Sequence, residues 1–426
     1  MIGVGAAGPI GNEVGVGGRA GPRTEPAQLL SLARERAGWA NLDLSGLDAV
    51  DERPFWIALS LVPGLGPVGF ARLLLRYGSA RAAWSAGPEL LGELPRLAAE
   101  TASGLQRLSL TSVDAIASPV EATTERAGGR IVTALEPGYP PALATVDPRP
   151  PVLFVSGDAE ALVGPAVAVV GTRRATGYGR SAAAEIADEL GRAGVTVVSG
   201  LAMGIDGEAH TAAIEAGGRT VAVLPSPLDR IYPPRHRELA RRIVSTGGAL
   251  VSELAPGHAP GRPDFARRNR IIAGLARAVV VVEAPDRSGA LLTAAAAIDY
   301  GKELFAVPGP IDAVASRGCN RLIADQMATL VTSAAALLQR IGAAPGERQA
   351  SVLNLSEAEA LVLGNLLRRP ASIEELMGRT RLATGPLASA LTLLEARGLV
   401  ESYGGATFHA TLAARRIGRS GGLDGG

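Results

Sequence analysis

AVAVVGTRRATGYGRSAAAEIADELGRAGVTVVSG, residues 166–200, decides the fold. It opens on a run of apolar residues short enough for a strand buried on both faces. Gly171 turns the chain, and GYGRSAAAEIADELGRAG then repeats apolar residues at helical spacing until Gly194. A second apolar run, 195–198, is turned in its place by Ser199-Gly200. Strand, helix, strand at this spacing is the unit of a parallel sheet.

The alternation continues outward. Strands are expected at 220–224, 249–252, 278–282 and 304–307, with helical stretches through Ala213-Ile214 and over 293–300. The expected fold class is therefore α/β: a Rossmann-like, doubly wound, mostly parallel sheet covered on both faces. Ligands of such sheets bind beyond the carboxyl ends of the strands. Gly171-Thr172-Arg173, Ser199-Gly200, Ser252-Glu253 and Glu283-Ala284 all fall there.

On either side the pattern changes. Residues 1–48 are rich in Gly, Ala and Pro and read as a disordered low-complexity tail, with a short helix near 28–37. Residues 49–128 read as a helical domain. Its Pro63-Gly64-Leu65-Gly66 break between two helices resembles a SAM or helix-hairpin-helix element, whose glycines free backbone amides for phosphate; an ordinary glycine turn explains it equally well. Residues 129–335 form the Rossmann-like domain and 336–352 a linker. Residues 353–412 read as a winged helix, with Ser356 opening one helix and Ser372 with Glu375 opening another as a capping box. Its third helix is mostly apolar, so protein or its own chain is as suitable a partner as DNA. Residues 413–426 read as a disordered tail.

Composition narrows the function classes. At 426 residues and 47% hydrophobic content the chain has material for two or three domains. A net charge of +1 argues against a globally basic nucleic-acid binder and leaves local patches open. Lys302 is the single lysine, so the positive charge is guanidinium, suited to bidentate phosphate contacts and to stacking. Cys319 is the single cysteine, which excludes an internal disulfide framework and a thiolate zinc site. Without a long apolar run or a signal-peptide pattern, the expectation is a soluble, cytoplasmic protein.

Enzyme motifs fare poorly. Arginine stands where a dinucleotide fingerprint needs glycine, and neither a P-loop nor a GxSxG elbow is present. The best catalytic candidate is GIDGEAH, with Asp206, Glu208 and His210 as an acid/base or metal cluster. Its bland alternative has Asp206 capping a helix and His210 partly buried and hydrogen-bonded. Binding motifs fare better. Arg173, Arg174 and Arg180 follow the first strand without an intervening acid, and FARRNR, residues 265–270, concentrates Phe265, Arg267, Arg268, Asn269 and Arg270. Two arginine-rich loops at one sheet edge, with one aromatic and few side chains suited to base edges, fit single-stranded nucleic acid held by its phosphates.

Five motifs then occur in order: VAVVGTRRATGYG, VVSGLAMGIDGEAH, FARRNRIIAGLARAVVVVEA, SGALLTAAAAIDYGK and FAVPG. Together they resemble the DNA-processing protein DprA (Smf) family over about residues 129–331. The resemblance implies a non-enzymatic protein without cofactor. It would bind single-stranded DNA, protect incoming DNA in natural transformation and help load the RecA recombinase. It would form a homodimer through the Rossmann-like domain. It also implies that Gly171, Thr172 and Arg173 take phosphate, that Ser199 and Gly200 line the groove, and that Phe265, Arg268, Asn269 and Arg270 form the opposite wall. The sequence departs from the family pattern at Leu224-Pro225-Ser226-Pro227, His236, Ala266 and Gln326, which puts the local loops in question. Two other readings are a nucleotide-processing hydrolase using Asp206, Glu208 and His210, and a DNA-dependent regulator led by the winged helix.

Overall fold

The computed structural model describes residues 38–87, 99–344, 355–403, 407–411 and 414. The helix expected near 28–37 and the tail from 415 onward lie outside the described residues.

The helical part comprises α1 (Ala49–Ser60), α2 (Pro67–Tyr77), α3 (Ala80–Ala86), α4 (Ala99–Ser109) and α5 (Val113–Arg126). Asp48 starts α1 by accepting from the amides of Val50 and Asp51. Trp39 corrects the expectation that residues 38–48 belong to a disordered tail. Its ring is 1% exposed and packs on Trp56 and Phe70, because burying an indole outweighs ordering a few small residues. The PGLG turn lies against α4: a Cβ on Gly64 would stand 2.4 Å from Thr101 Oγ1, and one on Gly104 2.8 Å from Pro63. Packing is reason enough for Gly64 and Gly104, whereas a Cβ on Gly66 would meet nothing within 4 Å.

A nine-stranded sheet follows, built from β1 (Gly129–Thr133), β2 (Val152–Gly157), β3 (Ala166–Gly171), β4 (Thr196–Ser199), β5 (Thr220–Val223), β6 (Ala249–Ser252), β7 (Ala278–Glu283), β8 (Glu303–Ala306) and β9 (Thr329–Leu330). The spatial order is β1-β2-β6-β5-β4-β3-β7-β8-β9. From β6 across to β9 the pairing is parallel, while β2 joins β6 and β1 joins β2 antiparallel. Between them run α6 (Pro141–Ala144), α7 (Gly177–Arg192), α8 (Ile205–Glu215), α9 (Arg237–Ser245), α10 (Arg262–Leu275), α11 (Ala290–Asp299), α12 (Arg317–Ala324) and α13 (Ala334–Arg340). The sheet is the mostly parallel, doubly wound one expected. Strand order reverses between β3 and β7, so the switch-point crevice opens beside the loop that carries Arg173.

Three apolar clusters fill this body. Two lie on opposite faces of the central strands. Along β3 the side chains alternate between them, Val167 and Val169 joining one cluster and Ala168 and Val170 the other. The third runs from Trp39, Trp56 and Phe70 through Phe154 and Leu250 to Leu239, so the helical segment shares its core with the β1-β2-β6-β5 end of the sheet. Cys319 lies buried with its thiol against the Val281 carbonyl, and burial pushes its pKa up to about 12.

The winged helix has a core of its own, including Leu363, Leu376, Leu391 and Leu394. Helices α14 (Glu357–Arg368), α15 (Ile373–Thr380) and α16 (Thr384–Ala396) pack with a small sheet of β10 (Ala371–Ser372), β11 (Val400–Tyr403) and β12 (Thr407–Ala410). Ser356 with Glu359 and Ser372 with Glu375 form reciprocal capping boxes. Strand β10 between the first two helices was not foreseen.

Candidate nucleic-acid interface

FARRNR is helical, a correction to its reading as a loop. It occupies the first half of α10, so its side chains part at helical spacing. Phe265 and Arg268 project toward the carboxyl ends of β4 and β5, where Arg268 donates to the Gly200 carbonyl and, at 2.6 Å, to the Val223 carbonyl. Arg268 is only 6% exposed, and burial pulls its pKa down to about 10 against the attraction of Asp206. A Cβ on Gly200 would sit 2.2 Å from that guanidinium, so glycine is required there by close approach.

Phe265 is half-buried and is held from two sides. The Arg173 guanidinium lies 4.9 Å from its ring centre, and Tyr232 meets it edge-on at 5.5 Å. Arg173, Gly200, Met203, Tyr232, Phe265 and Arg268 thus surround one slot of about 50 Å³, with Pro225 closing a side. In the departing segment Pro225-Ser226-Pro227, Ser226 is buried; its carbonyl accepts from the Ser252 hydroxyl at 2.9 Å, while its own hydroxyl has no hydrogen-bond partner among the described residues. Tyr232, Met203 and Pro225 escaped the sequence reading of the site. Nothing local in the sequence says that the loop carrying Tyr232 returns to α10.

Other expected site residues serve the scaffold. Gly171 lies where a Cβ would be 2.5 Å from Ile205. Thr172 donates its amide to the Glu283 carbonyl at 2.7 Å and accepts from Ile205 N with its own carbonyl, so that amide is not offered to a phosphate. Ser199 is fully buried and donates its hydroxyl to the Val169 carbonyl at 2.6 Å, which turns it away from the groove it was expected to line. Asn269 donates to the Gly289 carbonyl at 3.1 Å. Arg270 ion-pairs with Glu253 and donates to the Pro148 carbonyl at 2.9 Å, on another face of α10 from Phe265. The wall expected from Arg268, Asn269 and Arg270 is thus reduced, in this arrangement, to Arg268 with Phe265.

The loop after β3 is fixed by a buried carboxylate. Glu283, 2% exposed, accepts from the Thr176 amide at 2.8 Å and its hydroxyl at 2.6 Å, while Thr176 Oγ1 accepts from Gly179 N at 3.1 Å to cap α7. A Cβ on Gly179 would meet that carboxylate at 2.5 Å. The helix N-terminus that receives the pyrophosphate in dinucleotide-binding sheets already holds an anion here.

The cluster in GIDGEAH is inward-facing. Asp206 accepts from Gly200 N at 3.1 Å and Ala202 N at 3.4 Å, and burial raises its pKa against the pull of Arg268. His210 is fully buried, beyond the partial burial of the bland reading. Its Nε2 accepts from Leu201 N at 3.3 Å. Its Nδ1 lies 2.7 Å from the Thr220 hydroxyl, which itself donates to the Val197 carbonyl. The imidazole is therefore the neutral Nδ1–H tautomer with both nitrogens engaged, and burial pulls its pKa down to about 3. Leu201, at φ 56°, adopts a left-handed conformation uncommon for leucine; His210 binds its amide and His236 Nδ1 donates to its carbonyl at 2.8 Å. No group of His, Cys, Asp and Glu suited to a metal ion occurs among the described residues.

A Rossmann-like sheet with an antiparallel extension, followed by a winged helix, defines the class: a doubly wound α/β protein with a second, winged-helix module. Residues 130–342 match the family model of DNA recombination-mediator protein A, and residues 343–406 match the DprA winged helix domain. Protein Smf of Synechocystis sp. is 33% identical over 399 residues, covering 84% of this chain and 98% of its own. The putative DNA processing protein DprA of Mycobacterium tuberculosis is 40% identical over 313 residues, 69% of this chain and 80% of its own. The X-ray structure of DNA processing protein A from Streptococcus pneumoniae superimposes with a TM-score of 0.58 at 32% identity, covering 67% of this chain and 97% of that one. The chain belongs to the DNA recombination-mediator protein A family, DprA or Smf.

Proposed function

We propose that this chain binds single-stranded DNA without catalysing a reaction on it, and that the slot between Arg173 and Phe265 grips the strand. The observation that carries the reading is the ring of Phe265 set between Tyr232 and the Arg173 guanidinium at the switch-point edge of the sheet. A half-buried ring beside a cation offers a face for a base and a charge for its phosphate, and neither contact selects a sequence. Gly200 and Arg268 form the back of the slot, with Arg268 acting as a fixed charge behind the backbone. Against the hydrolase alternative stands His210, whose nitrogens both bond within the protein and whose low pKa keeps it from accepting a proton near neutrality.

Family membership supports the finer parts of the proposal: protection of incoming DNA in the cytoplasm during transformation, loading of RecA onto it, and a homodimer through the sheet domain. Exposed Ile311 and Val314, between β8 and α12, and Leu330 on the edge strand β9 suit such a self-association. No helix among the described residues is long and apolar enough to cross a membrane.

The test is a mobility-shift comparison of single- and double-stranded DNA, with nucleotide hydrolysis assayed on the same sample. Single strands should bind more tightly, and no nucleotide should turn over. Equal affinity for duplex, or hydrolysis abolished by His210→Ala, would overturn the proposal.

A further inference from the structure

A cleft adjoins the slot on the far side of Arg173. It measures about 550 Å³ and draws guanidinium groups from separate elements: Arg174 after β3, Arg180 in α7, Arg235 in the turn Pro234–His236 and Arg242 in α9. Its carboxylates are Glu208 and Glu238, and Glu238 is ion-paired with Arg241. Gly204 and Gly207 lie in its lining, where side chains have no room: a Cβ would stand 2.4 Å from the Thr172 carbonyl at Gly204 and 2.7 Å from His236 at Gly207. Slot and cleft meet, sharing Arg173 and Met203.

The larger group of arginines beside the slot lies on the α9 side. Along α10 the two inward arginines are already engaged, Arg268 by the Gly200 and Val223 carbonyls and Arg270 by Glu253 and the Pro148 carbonyl, which leaves the exposed Arg262 and Arg267. On the α9 side, arginines outnumber acids, and Phe, Tyr and Trp are missing from the cleft lining. Such a surface suits a polyanionic backbone and offers no ring on which a base would stack.

We propose that this cleft is a second sugar–phosphate subsite, taking the nucleotides that continue the strand from the slot, so that bound DNA runs from α10 over Arg173 to α9. The proposal rests on the single-stranded DNA reading above and extends it. Arg174 and Arg235 are exposed, so both can be replaced with little effect on the fold.

Fluorescence anisotropy on the full chain, with oligothymidylates of about 4 and about 16 nucleotides, tests it. In Arg174→Ala/Arg235→Ala, affinity for the long oligomer should fall about tenfold and the slope of log K against log salt should shrink by about 1.4, two phosphates' worth for a single strand. The short oligomer should bind as to wild type, while Arg173→Ala should weaken both. An unchanged affinity and slope on the long oligomer, with wild type binding both, would remove the subsite and leave the slot standing. Equal losses on both lengths would reduce the cleft to a general field. Wild type that binds neither length would remove the DNA reading itself.

Discussion

Under the proposed function, Phe265 joins core and ligand. Its ring already has an edge-on tyrosine and an overlying guanidinium, so it is ordered before DNA arrives, and stacking a base on it requires little further ordering. Phe265→Ala should cost about 1–3 kcal/mol in single-strand affinity, read by anisotropy. Its melting temperature should stay near that of wild type, because the ring is half-buried at the edge of the fold. Unchanged affinity would return Phe265 to the role of packing residue. His210 makes a different prediction. Its free-chain pKa is 6.5 and its folded value about 3, so below 6.5 the unfolded chain takes up a proton that the folded chain refuses. The contribution is complete above pH 6.5 and is lost as pH falls toward 3, with a slope of up to about 1.4 kcal/mol per pH unit. Urea titrations between about pH 4 and pH 7 should show a steep acid loss in wild type and a flatter one in His210→Gln, whatever the variant's stability at neutral pH. Parallel slopes would show that His210 does not set the acid limit.

At the scale of elements, α10 explains both what the sequence disclosed and what it hid. The strands β3 to β8 were legible because each is a short apolar run set off by glycine or by a helix-period stretch. Helix α10 was not, because Asp264 and Arg268 occupy positions on its buried face where an apolar residue would have displayed the period. Arg268 is tolerated there only because Asp206 and two carbonyls meet its charge. Arg268→Met should therefore cost about 3–5 kcal/mol, since it leaves Asp206 buried without its counter-charge. Denaturant unfolding checks this, and a loss confined to DNA affinity would mean that Arg268 is a contact residue and not a strut. The edge strands β1 and β9 were missed for simpler reasons: in GRIVT the apolar run is only Ile131-Val132, and β9 has two residues, both exposed. Arg270 and Asn269 entered the expected site through the family resemblance, and a linear motif does not show which face of a helix each residue takes.

On the scale of the whole molecule, the helical segment and the sheet hold one core in common, whereas the winged helix closes its own. Calorimetry should therefore resolve two transitions and not three, because helices and sheet cannot separate without exposing Trp39, Trp56 and Phe154 together. Removing residues 343–426, from the start of the matched winged helix onward, should abolish only the transition that belongs to it and leave single-strand affinity within about twofold. Loss of the main transition in the truncated chain would show that the two cores are coupled.

Cys319 has a practical consequence. A thiolate is the reactive form of cysteine, and here it is suppressed by burial beneath the sheet's apolar layer. The native chain should therefore react slowly with thiol reagents, so a cysteine introduced at an exposed site should be labelled first. Fluorophores placed one at a time at Arg174 and Arg235 would report where a strand lies on this surface, with little background to subtract.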